Sequence, residues 1–161
     1  MRRVRPATAP ELRRGLELDL SYAARRPWTP RPRLIAKWAA AALPRSKPAA
    51  LSIRIVGDAA SRSLNARFRH RNTPTNVLSF AGAGNAPDGR IHLGELVICA
   101  PVVAREARAQ EKTLEAHWAH MTIHGVLHLL GFDHERAVAA RKMESREVQI
   151  LDRLGFSDPY R

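Results

Sequence analysis

The stretch HGVLHLLGFDH, His124 to His134, constrains this chain more than any other. Its histidines are four and then six residues apart, and Gly131 stands between the second and the third. On a helix, residues four apart share one face, displaced by about 6 Å along the axis. His124 and His128 can therefore aim at a single point. A glycine can take the left-handed backbone that ends a helix, and the returning chain then carries His134 toward the same point. Three imidazoles with a fourth position left open is the layout of a catalytic zinc site, whereas a structural site is closed by a fourth side chain. In the zinc proteases that share this spacing, a glutamate follows the first histidine and takes the proton from water. Gly125 stands there instead, which weighs against peptide hydrolysis. Asp133 and Glu135 bracket His134 and are candidates to orient water or an imidazole. His120 lies four residues before His124 and could pair with it, but no matching turn and third histidine follow. His117 and His120 read as residues flanking the ligands.

Charge supplies the second constraint. The chain holds 27 Lys+Arg against 15 Asp+Glu, for a net +12. Residues 1–75 carry 17 basic and 4 acidic side chains, a net +13, while 76–161 carry 10 and 11, a net −1. So uneven a field favours a polyanion, with nucleic acid first. Arg67, Arg69 and Arg71 cluster in RFRHR, and the planar guanidinium fork matches phosphate. Aromatics make up only 6%, which argues for contact along the backbone more than for base stacking. His70 and His92 read as surface or RNA-side histidines.

The same composition narrows the setting. Cys99 is the only cysteine, so no internal disulfide forms, in keeping with a reducing cytoplasm. It sits in an apolar run and reads as a packing residue. That run, LVICAPVVA, has nine residues and a proline, far short of the roughly 20 that span a bilayer. No membrane segment is expected. The opening MRRVRPATAPELRRG has no apolar stretch after its arginines and does not read as a secretory signal. It reads as a basic extension over residues 1–13, ahead of a single domain over 14–161.

Along that domain, Leu16, Leu18 and Leu20 alternate with polar residues, the period of a half-buried strand. RRPWTPRPR is a loop, and Leu34 to Leu43 a helix that stops before Pro44. LSIRIVG is a second strand, followed by a helix capped by Asp58 and running to about Phe68. Arg69 to Thr75 form a basic turn before the short strand VLSF. AGAGNAPDGR reads as a mobile glycine-rich connection, and no GK[ST] makes it a phosphate loop. LGELVICA is the next strand. Helices then run from Pro101 to about Gln110, from Thr113 to Leu130, and from Ala137 to Leu154, the last with Met143, Val148 and Leu151 on its apolar side. The order implies an α+β fold, a small mixed β-sheet packed with helices.

HGVLHLLGFDH resembles the HGxLHLxGxDH signature of the YbeY family of metal-dependent endoribonucleases. Further likeness lies in LNARFRHRNTPTNVLSF, LGELVICAPVV, EAHWAHMTIHG and the ending LGFSDPY. Together these extend from about residue 14 to the end. The resemblance implies one zinc ion on His124, His128 and His134, an essential arginine at Arg69, and a zincin-like fold, likened to the zinc proteases. It implies a single-strand-specific endoribonuclease acting in 16S rRNA 3′-end maturation and ribosome quality control. The implied partners are ribosomal RNA, the small ribosomal subunit and its proteins, and a ribosome-assembly GTPase. One departure is Glu95, where the family usually carries aspartate. Two other readings stay open on the residues alone: a metal-dependent hydrolase of a non-RNA substrate, and a non-catalytic RNA-binding assembly factor that zinc merely stabilises.

Overall fold

The computed structural model describes residues 15–161, so the basic extension expected over 1–13 lies outside the described residues. Among the described residues, four strands and five helices follow one another in the order β1 Leu16–Tyr22, α1 Pro32–Ala42, β2 Ala49–Val56, α2 Asp58–Arg69, β3 Val77–Asn85, β4 Ile91–Cys99, α3 Ala100–Ala109, α4 Leu114–Leu129 and α5 Ala137–Arg153. This is the α+β fold with a mixed sheet that the sequence implies. The strands lie in the order β1-β2-β4-β3; β1, β2 and β4 run parallel, and β3 pairs antiparallel with β4 at the edge.

Two local expectations need correction. Asp58 is not the cap of α2; Gly57 is, and Asp58 opens the first turn with its carboxylate on Arg105, at 2.8 and 3.1 Å. There it meets the helix dipole just as favourably and gains a guanidinium partner. The glycine-rich segment AGAGN is also not a connection. It continues β3 to Asn85, with an irregularity in register between Ala81 and Gly84, and only Ala86 to Arg90 form the turn. Backbone pairing with β4 overrides the low strand propensity of glycine.

The sheet has two differently covered faces. Leu96 and Ile98 of β4 join the main core, which also holds Ile35 and Trp38 of α1, Trp118, Ile123 and Val126 of α4, and Met143, Ile150 and Leu151 of α5. Val97 and Cys99 point the other way, into a smaller cluster with Val56 and Leu78, against which Leu64 of α2 and Phe80 pack. The period of two along a strand produces this division. Cys99 is thus the packing residue its setting suggests, and burial raises its thiol above the usual range.

Helix α4 is the central element. Thr113 caps it by accepting from the Ala116 amide at 3.1 Å, and ten of its residues, from His117 to Leu127, are buried. It passes very close to the sheet at Gly125. A Cβ placed there would lie 2.9 Å from both terminal methyls of Leu96 and 3.3 Å from Val77. The glycine that replaces the protease glutamate is therefore the point where helix and sheet touch. A carboxylate at 125 would be driven into the sheet and away from the histidines.

Candidate metal centre

The end of α4 builds the site by local geometry. Leu130 closes the helix, and Gly131 follows with φ +96°. The Gly131 amide donates to His128 and the Phe132 amide to Leu127, both at 3.0 Å. That pair of bonds is the Schellman closure, which needs a left-handed residue where glycine stands. One turn later the Glu135 amide donates to Asp133 Oδ1 at 2.9 Å, shaping the bend that presents His134.

The result brings together the three histidines expected. One ring nitrogen from each of His124, His128 and His134 lies within 4.8 Å of the others. Ring centroids are 4.7 Å apart for His124 and His128, 4.6 Å for His128 and His134, and 5.9 Å for His124 and His134. Nitrogens at the corners of a tetrahedral zinc sphere stand about 3.4 Å apart, a separation inside the 4.8 Å that bounds these three. Among the described residues no fourth His, Cys, Asp or Glu joins the set. Burial first, and then the neighbouring charges of His124 and His134, push His128 down to about 4. The proton therefore leaves its ring readily, as a metal ligand requires.

Behind the triad lies a residue that sequence reading missed. Glu147 of α5 has no solvent exposure and accepts from His124 Nδ1 and from the Tyr160 hydroxyl, both in short contacts, and from His120 Nε2 at 3.2 Å. Burial alone raises a carboxyl, but the bonds from His120 and His124 outweigh it and bring Glu147 down to about 2. An ionised carboxylate only accepts, so the ring nitrogens facing it must be N–H donors. His124 is thereby fixed with its proton on Nδ1 and its lone pair on Nε2, free for a metal. The donor set fits zinc: three imidazoles, one of them with its tautomer already set. His120, His124 and Glu147 also bring ligand atoms within 4.8 Å of each other, but their contacts are those of a hydrogen-bonded cluster. A signal for Glu147 existed in the chain. It lies four residues after Met143 and four before Leu151, on the apolar stripe of α5.

The remaining candidates fall elsewhere. Asp133 and Glu135 are exposed and bonded within their own turn. His117, 2% exposed, donates from Nε2 to Glu106 at 2.7 Å. His70 ends α2 in the left-handed conformation, and His92 pairs with Asp88 at 3.1 Å. Glu95 meets Arg54 of the adjacent strand at 2.9 Å. Arg67, Arg69 and Arg71 are exposed around the end of α2, where the Arg67 guanidinium lies 5.2 Å from the ring of Phe68.

Helix α2, which bears Arg67 and Arg69, and helix α4, which bears His124 and His128, pack on opposite faces of the sheet: Leu64 of α2 lies with Val97 and Leu78, whereas α4 lies against Leu96 and Val77. The turn after α2 leads into the edge strand β3. Asn65 donates to Thr73 at 2.7 Å and Ser61 to Thr75 at 3.0 Å. Asn76 then donates to Glu106, the partner of His117 on α4. Burial of Glu106 is outweighed by those two bonds, and its carboxyl stays below the usual range.

The fold and the family can be compared with known proteins. The solution structure of TM1509 from Thermotoga maritima is similar, with a TM-score of 0.51 at 19% identity over 87% of this chain and 91% of that one; the likeness is one of fold. A family model described as Endoribonuclease YbeY matches residues 31–155. That span takes in every element from α1 to α5, with the histidine helix, its turn and Glu147 inside it, and the chain belongs to the YbeY endoribonuclease family.

Proposed function

We propose that this protein is a zinc-dependent, single-strand-specific endoribonuclease of the cytoplasm that matures the 3′ end of 16S rRNA and serves ribosome quality control. The observation that carries this reading is the convergence of His124, His128 and His134, joined by no fourth His, Cys, Asp or Glu among the described residues, in a chain of net charge +12. His124 Nε2 and one ring nitrogen each from His128 and His134 would hold the ion. Zinc held there would supply a coordinated water of pKa about 7 and a Lewis acid for a phosphoryl oxygen.

The chain's own side chains supply the rest. Arg69 neutralises charge that builds on the phosphorane oxygens, where a planar guanidinium is well matched. Arg67 and Arg71 hold phosphates on either side, and the turn docked through Asn76 leads the strand from α2 around the edge of β3. Asp133 and Glu135 flank His134, in reach of water entering the open side. The small ribosomal subunit and its proteins, with a ribosome-assembly GTPase, are the partners this role calls for.

Metal quantification beside cleavage of single-stranded RNA, wild type against His128→Ala, tests the reading. The variant is expected to lose both metal and cutting. Unchanged metal content would remove the ligand assignment. A metal-replete wild type inert toward every RNA would favour an assembly factor that binds without cutting.

A further inference from the structure

The buried carboxylate of Glu147 has three partners, and only two belong to α4. The third is Tyr160, in the segment after α5. Its hydroxyl reaches Glu147 Oε2, and its ring stands edge-on to His120 with centroids 5.5 Å apart. The residue as a whole is 48% exposed, so an apolar grip does not explain its placement. A separate bond holds the segment down: Lys112 donates to the Pro159 carbonyl at 2.5 Å. Within the segment the Tyr160 amide donates to Asp158 Oδ1 at 2.8 Å. The backbone is thus pinned beside the start of α4, and the hydroxyl is aimed inward.

We infer that Tyr160 is a positioning residue for the metal site: its hydroxyl holds Glu147 in the orientation that fixes His124 for metal binding. The inference rests on the ligand assignment proposed above. A carboxylate has two oxygens and can swing about its last bond. His124 engages Oε1, while His120 and Tyr160 engage Oε2. The His120 contact is the longer of the two, and that nitrogen also lies 3.3 Å from the Tyr160 oxygen. The hydroxyl is therefore the main restraint on Oε2. Its loss leaves a fully buried anion short of a donor, which must turn toward water or share His124 less well. The effect on the ion is indirect, through the orientation and basicity of one imidazole.

Tyr160→Phe keeps the ring over His120 and removes only the oxygen. The full chain is stripped with a chelator, and zinc affinity is then measured by competition with a chromophoric chelator for wild type, Tyr160→Phe and Glu147→Gln. Cobalt(II) is added in parallel to read the visible absorption of the ligand field. Outer partners of ligating histidines contribute about 10- to 100-fold to metal affinity. Glu147→Gln should fall within that range, and Tyr160→Phe should lose about tenfold with altered cobalt bands. Glu147 is buried and its variant can fail to fold, so Tyr160→Phe decides, with circular dichroism confirming its fold. Wild-type affinity and an unchanged cobalt spectrum in Tyr160→Phe would overturn the inference while leaving the ligand assignment intact. Two zinc ions per wild-type chain, one lost in Glu147→Gln, would also overturn it, by making the cluster a second cation site. A wild type that takes up no metal defeats the ligand assignment, and the inference with it.

Discussion

Gly125 and Arg69 show how much rides on single side chains. Gly125 admits α4 to within contact of Leu96, which is fully buried and has little room to retreat. Gly125→Ala is therefore expected to destabilise the protein by about 1–3 kcal/mol, the usual cost of overpacking, although alanine is the better helix former. Chemical denaturation measures it; a variant as stable as wild type would mean that Leu96 yields freely. Arg69 is exposed and far from the fold's core, so Arg69→Ala should leave the melting temperature and metal content unchanged. Its cleavage rate should drop by about 10²–10³-fold, the size expected for one preorganised charge on a developing oxyanion. Metal content and initial rate on the same sample check both halves.

At the scale of elements, the end of α4 and the docking of the β3 turn carry the site. Gly131 holds φ +96° with open space around the missing Cβ, so Gly131→Ala meets backbone strain and no clash. A cost of about 1–2 kcal/mol is expected, and because His134 lies three residues on, zinc affinity should fall with it. The turn before β3 depends on Glu106, which joins Asn76 to His117. Its folded carboxyl lies below the ordinary range. The folded state thus holds on to ionised Glu106 where the unfolded chain would take up a proton. That stabilisation is complete above the ordinary carboxylate pKa of about 4.5 and is lost as pH falls through the lower folded value. Glu106→Gln should accordingly be less stable than wild type near pH 7, with the gap narrowing in acid. A gap independent of pH would show that shape, and not charge, is what Glu106 contributes.

For the whole molecule, charge sets the behaviour with substrate. No helix among the described residues is long and apolar enough to cross a membrane, and the basic excess lies in residues 1–75. If about five phosphates are neutralised, a single-strand slope near −0.7 per contact predicts a loss of about a hundredfold in RNA affinity between roughly 50 and 200 mM salt. Fluorescence anisotropy across that range tests it. Each of Arg67→Ala and Arg71→Ala should reduce the slope by about 0.7. A slope near zero would place the basic excess on faces that RNA never meets.

What the sequence determined by itself is what depends on near neighbours along the chain. Spacings of four and six with an intervening glycine specify three converging imidazoles, because helix periodicity and one left-handed residue are properties of a short segment. The alternation of leucines and the helix-breaking prolines marked most elements for the same reason. Only the tertiary structure decided which glutamate stands behind the three histidines. Glu147 is 23 residues from His124, and Asp133 and Glu135 were the candidates because they were adjacent. A buried carboxylate on an apolar stripe gains its partner only when α5 is laid against α4. The tertiary structure likewise explained Gly125, whose reason lies in Leu96 across the sheet contact, and extended β3 through glycines that only pairing with β4 makes into a strand. Local pattern brings the three histidines together; packing between segments distant in sequence decides what holds them.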